Sequence, residues 1–114
     1  KSNKLITMLE FPDGSKLTSV FLSFNKLAKL GNLNEFTAPD LKTLELKDNK
    51  LLEFEQDFFS LTKIETIDIT NNEFNKLAPE FGLLNSLKKF VISGNPLRTV
   101  KNEIKKLEFY YSSF

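Results

Sequence analysis

The sequence predicts a solenoid of the α/β class, built from one strand-and-return unit repeated along the chain. Three observations carry this. Residues 64–74, IETIDITNNEF, place apolar side chains at the first, fourth and sixth positions (Ile64, Ile67, Ile69), with Asn72 at the ninth and Phe74 at the eleventh. The same spacing recurs in Leu17, Val20, Leu22, Asn25 and Leu27, in Leu41, Leu44, Leu46, Asn49 and Leu51, and in Leu87, Phe90, Ile92, Asn95 and Leu97. The four asparagines stand 24, 23 and 23 residues apart. A fixed period of this length marks units that cannot bury a core alone and must stack on their neighbours.

Taken in order, the chain starts inside a unit, and residues 1–16 read as a partial repeat. Asn3-Lys4-Leu5 matches Asn25-Lys26-Leu27 and Asn49-Lys50-Leu51, with Met8 and Phe11 continuing the apolar positions. With no strand before Asn3 and no polar cap in view, residues 1–114 are expected to be a single domain cut from a longer protein. The first full repeat, 17–40, holds a strand over 19–23 with Val20 and Leu22 pointing inward at period two. Its return segment, 31–39, carries one extra residue and sets Phe36 out of register, so an irregular convex loop is expected there.

Repeats two (41–63) and three (64–86) each place apolar residues on one helical face: Phe54, Phe58 and Leu61, then Leu77, Phe81 and Leu84. Short helices are expected near Gln56 and at Pro79, the latter suited to a helix start. Repeat four (87–109) supplies Val100, Ile104 and Leu107. Beyond it, 110–114 is a partial repeat or a cap; Tyr110 opens a fifth strand, or 103–111 forms a terminal helix. Phe11, Phe58 and Phe81 each stand six residues before the next strand's first apolar position, which predicts an aromatic spine. Asn25, Asn49, Asn72 and Asn95 should form a ladder, each amide bonding backbone groups of adjacent turns that strand and helix leave unpaired.

Composition narrows the function. Sixteen basic residues oppose fifteen acidic ones, so the chain lacks the electrostatic surplus of a general nucleic-acid or acidic-membrane binder. No apolar run approaches the length needed to span a bilayer. The absence of cysteine and of any N-x-[ST] sequon points to a reducing, cytoplasmic setting. Without histidine or cysteine, the Ser-His-Asp, Cys-His and zinc-water mechanisms have no residues to work with, and no glycine-rich nucleotide cradle occurs. Asp68-x-Thr70-x-Asn72 spaces oxygen donors as a calcium loop does, but it lacks the central glycine and the twelfth-place glutamate. The chain is therefore read as a non-enzyme with no cofactor and no metal. The lysines of KNEIKK (101–106) read as a solvated convex face, because Ile104 takes a core position.

The segments LTSVFLSFN, LKTLELKDN, IETIDITNN and LKKFVISGN resemble the LxxLxLxxN consensus of leucine-rich repeat proteins with typical 23-residue units. The resemblance covers the whole chain. It implies a right-handed solenoid with a concave parallel β-sheet, short convex helices or turns, and protein–protein recognition through the concave face. The stretch from Ala78 to Ile104 is similar to the closing repeats of cytoplasmic proteins in the Ras-group class. Extracellular members usually follow the NPL motif with a cysteine-rich cap; RTVKNEIKK stands here instead, which again favours an intracellular protein.

The pleat then names the exposed face: strand residues that do not enter the core line the concave surface. The third places hold Ser19, Thr43, Thr66 and Lys89, and the fifth hold Phe21, Glu45, Asp68 and Val91. Ser23, Lys47, Thr70 and Ser93 occupy the seventh, and Phe24, Asp48, Asn71 and Gly94 the eighth. Glu45 and Asp68 should sit about 4.8 Å apart on neighbouring strands, a carboxylate pair able to receive a basic residue, with Lys47 as the competing local screen. Phe21 and Phe24 have no core role at these places and mark a binding hot spot, unless a preceding repeat covers them. The expected partner is a protein. Two rival readings stay open: a regulatory arm of a multidomain enzyme, or a structural subunit held by neighbouring repeats or subunits at its open ends.

Overall fold

Four three-residue strands, β1 (Ser19–Phe21), β2 (Thr43–Glu45), β3 (Thr66–Asp68) and β4 (Lys89–Val91), lie side by side in the order of the sequence. All three pairings are parallel, and the register is unbroken. Ser19 aligns with Thr43, Thr66 and Lys89; Val20 with Leu44, Ile67 and Phe90; Phe21 with Glu45, Asp68 and Val91. The computed structural model describes residues 10–97, so the expectations for the first partial repeat up to Leu9, for Val100, Ile104 and Leu107, for KNEIKK and for the fifth strand or capping helix lie outside the described residues.

The middle residue of each strand faces the core. Leu44, Ile67 and Phe90 are fully buried and Val20 nearly so, each burial contributing about 1.5–3 kcal/mol. Period two makes the flanking residues face the opposite way. The strand expected over 19–23 is shorter, ending at Phe21. Its pairing continues all the same: Leu22 N donates to Glu45 O at 2.9 Å and Phe24 N to Lys47 O at 2.8 Å. What stops the strand is the eighth place. Phe24, Asp48, Asn71 and Gly94 all take positive φ, at 64°, 56°, 57° and 75°, which turns the chain out of the extended conformation at the same point in every repeat.

The asparagines close that turn. Asn49 Oδ1 accepts from Asn25 N and Leu27 N at 3.1 and 2.9 Å, while its Nδ2 donates to Leu22 O and Leu46 O. Asn72 accepts from Leu51 N and donates to Leu46 O and Ile69 O; Asn95 accepts from Phe74 N and donates to Ile69 O and Ile92 O. Each side chain thus joins its own turn to the one before it. Asn25, half-buried at the first described turn, makes one side-chain bond among the described residues, from Nδ2 to Ser23 O.

The return segments are 3-10 helices at Gln56–Ser60 and Pro79–Leu83. They start where the sequence places them, and Phe54, Phe58 and Leu61, then Leu77, Phe81 and Leu84, are all buried, but the coil is tighter than an α-helix. Leu61 N bonds Phe58 O and Leu84 N bonds Phe81 O, both three residues back. A 3-10 helix rises about 2.0 Å per residue against 1.5 Å in an α-helix, so a short return crosses the core with fewer residues. The 31–39 segment forms no helix. Asn34 organises it, accepting from Phe36 N at 2.9 Å and donating to Asp57 Oδ2 at 2.9 Å, and Phe36 is exposed.

The aromatic core departs from a simple spine. Phe58 and Phe81 are buried, yet the rings connecting them are Phe54, stacked on Phe58 at 4.0 Å, and Phe59, edge-on to Phe81 at 5.0 Å. Phe81 in turn stacks on Phe90 at 4.8 Å. Phe11 is half-buried and packs at the border of the core. Adjacent repeats stack phenylalanines of unequal reach, so intermediate rings fill the gaps that close packing forbids.

Candidate functional site

The face opposite the core carries rows of side chains fixed by the strand register. Ser19, Thr43, Thr66 and Lys89 form the first row, and Phe21, Glu45, Asp68 and Val91 the second. Ser23, Lys47, Thr70 and Ser93 follow, and the positive-φ residues Phe24, Asp48, Asn71 and Gly94 close the surface at its turn edge. The residues named from the sequence therefore share one face. They differ in what they are free to do.

Asp68 is not the open receptor that the sequence suggests. It is only 8% exposed. Its Oδ1 accepts from Thr70 N at 2.9 Å and from Thr70 Oγ1 at 2.6 Å, and its Oδ2 faces Lys47 Nζ at 3.7 Å. The aspartate fits because its short side chain reaches the backbone two residues on, a local closure that glutamate is too long to make well. Ser23 and Thr70 are spent likewise: Ser23 Oγ accepts from Lys47 N at 3.1 Å, and the Thr70 hydroxyl serves Asp68. Asp48 Oδ1 accepts from Asn71 Nδ2 at 3.2 Å.

Glu45 remains. Its side chain is half-buried and makes no hydrogen bond or ion pair among the described residues; the half-buried Thr43 and Thr66 and the exposed Ser19 and Lys89 make no side-chain bond among them either. Beside Glu45 in register stands Phe21, 63% exposed, and Phe24 at the turn edge is 73% exposed. Sequence reasoning places both phenylalanines on this face but treats the two carboxylates as equivalent. The Asp-x-Thr spacing was the signal that separates them.

Elsewhere, a groove of about 320 Å³ opens beside the two 3-10 helices, lined among others by Leu52, Phe54, Phe59, Phe74, Lys76 and Phe81. Its walls are the flanks of core phenylalanines. Among the described residues no cluster of acidic side chains is placed to hold a metal ion, and no helix is long and apolar enough to cross a membrane.

Comparison with known proteins agrees with this architecture. The family model described as Leucine rich repeat matches residues 15–74 and again 39–97. Tsukushi of Gallus gallus is similar, at 35% identity over 81 residues, which cover 68% of this chain and 22% of that relative. The chain thus spans about a fifth of the curated relative it matches. Neither likeness supports the intracellular placement or the Ras-group subclass expected from the missing cysteines and the segment after the NPL motif. Leucine-rich repeat domains generally serve as protein-interaction modules and are typically non-catalytic. With the consensus, the parallel sheet, the asparagine-closed turns and the family match in agreement, this chain belongs to the leucine-rich repeat family.

Proposed function

We infer that the chain is a non-catalytic interaction module that binds a protein partner through its concave sheet face. The observation that carries this reading is the exposure of Phe21 and Phe24, 63% and 73%, on the face that the core does not need. An aromatic ring left in water at a regular strand position forgoes burial that the fold readily provides elsewhere, and aromatic anchors dominate the energetics of protein interfaces. The open polar row of Ser19, Thr43, Thr66 and Lys89 supplies orienting contacts around them, with Glu45 and Val91 completing the surface.

Affinity capture from cells tests the reading. Wild type is compared with a concave variant, Phe21→Ser/Phe24→Ser, and with a return-side control, Phe36→Ser/Leu83→Ser. The control removes exposed apolar groups of similar exposure, 69% and 57%. A partner lost with the concave variant and kept by the control supports the concave face. Loss with the control alone would place the working surface on the return side.

A further inference from the structure

We propose that Phe21 and Glu45 form a receptor for an arginine side chain of the protein partner, with Phe24 as its aromatic border. The proposal rests on the concave-face reading and makes it specific. Three observations converge on it.

The first is charge. Glu45, Asp48 and Asp68 oppose Lys47 on the second, third and turn-edge rows, and Lys89 stands two strands from Glu45. Lys47 turns to Asp68, at 3.7 Å, and Asp48 is held by Asn71. That leaves the half-buried Glu45 as the carboxylate of this face with no cation or donor among the described residues. A carboxylate in that setting is most easily satisfied by a cation brought from outside.

The second is the neighbour. Phe21 is Glu45's register partner on the adjacent strand, about 4.8 Å away along the ladder and on the same face. A carboxylate beside an exposed ring suits guanidinium better than ammonium. The planar group stacks on the ring and presents paired N–H donors to the carboxylate, and it loses less hydration than lysine does. A phosphate-bearing partner would meet the unpaired carboxylate first and be repelled.

The third is strain. At the eighth place the other repeats use Asp48, Asn71 and Gly94, residue types that tolerate positive φ. Phe24 adopts φ 64° without that tolerance and with its ring 73% exposed. Neither backbone preference nor packing accounts for a phenylalanine there. A ring that borders a bound side chain does.

The test is a random peptide library displayed on phage and selected on the 114-residue chain, followed by binding assays of the recovered peptides. Arginine should be enriched roughly threefold or more at one position. Affinity for those peptides should fall about tenfold or more in both Glu45→Gln and Phe21→Ala, with unchanged circular dichroism. Peptides that need Phe21 but show no arginine enrichment, and bind Glu45→Gln as well as wild type, would overturn the receptor and leave the concave reading standing. Peptides indifferent to Phe21, Phe24 and Glu45 alike would overturn both. Should no peptide be recovered, titration with N-acetyl-arginine amide decides. Shifts of the Phe21 and Phe24 ring resonances that its uncharged citrulline counterpart does not cause support the receptor, and their absence overturns it.

Discussion

The side chain of Asn71 occupies the space that a side chain on Gly94 would need. A β-carbon built on Gly94 would overlap Asn71 Oδ1 and come within 3.2 Å of Asn71 N, and Gly94 itself has φ 75°. The pair shows how tightly consecutive turns close at the edge of the sheet. Gly94→Ala should destabilise the fold by about 1–2 kcal/mol, from the positive φ and the overlap together. Urea denaturation would read it. In the double variant Asn71→Gly/Gly94→Ala the side-chain overlap is relieved by a residue that also tolerates φ 57°, so part of the loss should return while the cost of alanine at positive φ persists.

The asparagine ladder should show a position-dependent cost. Asn72 is 5% exposed and bonds Leu51 N, Leu46 O and Ile69 O. Asn72→Ala leaves the buried Leu51 N–H unpaired, while Leu46 O and Ile69 O keep the Asn49 and Asn95 amides, and should cost about 2–3 kcal/mol. Asn25 is half-buried and donates to Ser23 O, so Asn25→Ala should cost about 1 kcal/mol or less. Equal losses in thermal or chemical unfolding would refute the ladder as the source of the difference.

The two neighbouring carboxylates should separate in the same assay. Asp68→Ala removes a buried acceptor of two bonds from Thr70 and should destabilise by about 1.5–3 kcal/mol. The Lys47 ion pair adds little, since Lys47's side chain is 43% exposed. Glu45→Ala breaks no described side-chain bond and should stay within about 0.5 kcal/mol of wild type. A large loss from Glu45→Ala would make it a structural residue and remove it from the binding face.

Phe24→Asn should stabilise the isolated chain. Asparagine tolerates the left-handed conformation and already occupies the equivalent place at Asn71, so the gain is about 0.5–1 kcal/mol. The same change should weaken partner binding. Stability falling in this variant would mean that the Phe24 ring is packed in solution, against the hot-spot assignment.

Much of this architecture follows from the residues alone. Alternation around Val20, Leu44, Ile67 and Phe90 fixes which side of the sheet enters the core, because a one-residue slip would turn every side chain over. The starts of both 3-10 helices are legible from Gln56 and Pro79. The helix type is not, since apolar spacings of four and three suit an α-helix and only the distance to be crossed selects the tighter coil.

At the site the division is finer. The sequence by itself determined the register, and with it the neighbours Phe21 and Glu45, because period two and the constant spacing from each strand to its asparagine admit one alignment of the strands. The tertiary structure alone decided which carboxylate is open. Asp68 and Glu45 are equivalent in the repeat pattern; a backbone N–H, a threonine hydroxyl and a lysine from the preceding repeat engage Asp68 and leave Glu45 unpaired among the described residues. Hydrogen bonds depend on distances of a few tenths of an ångström, and a repeat pattern specifies positions only to the nearest residue.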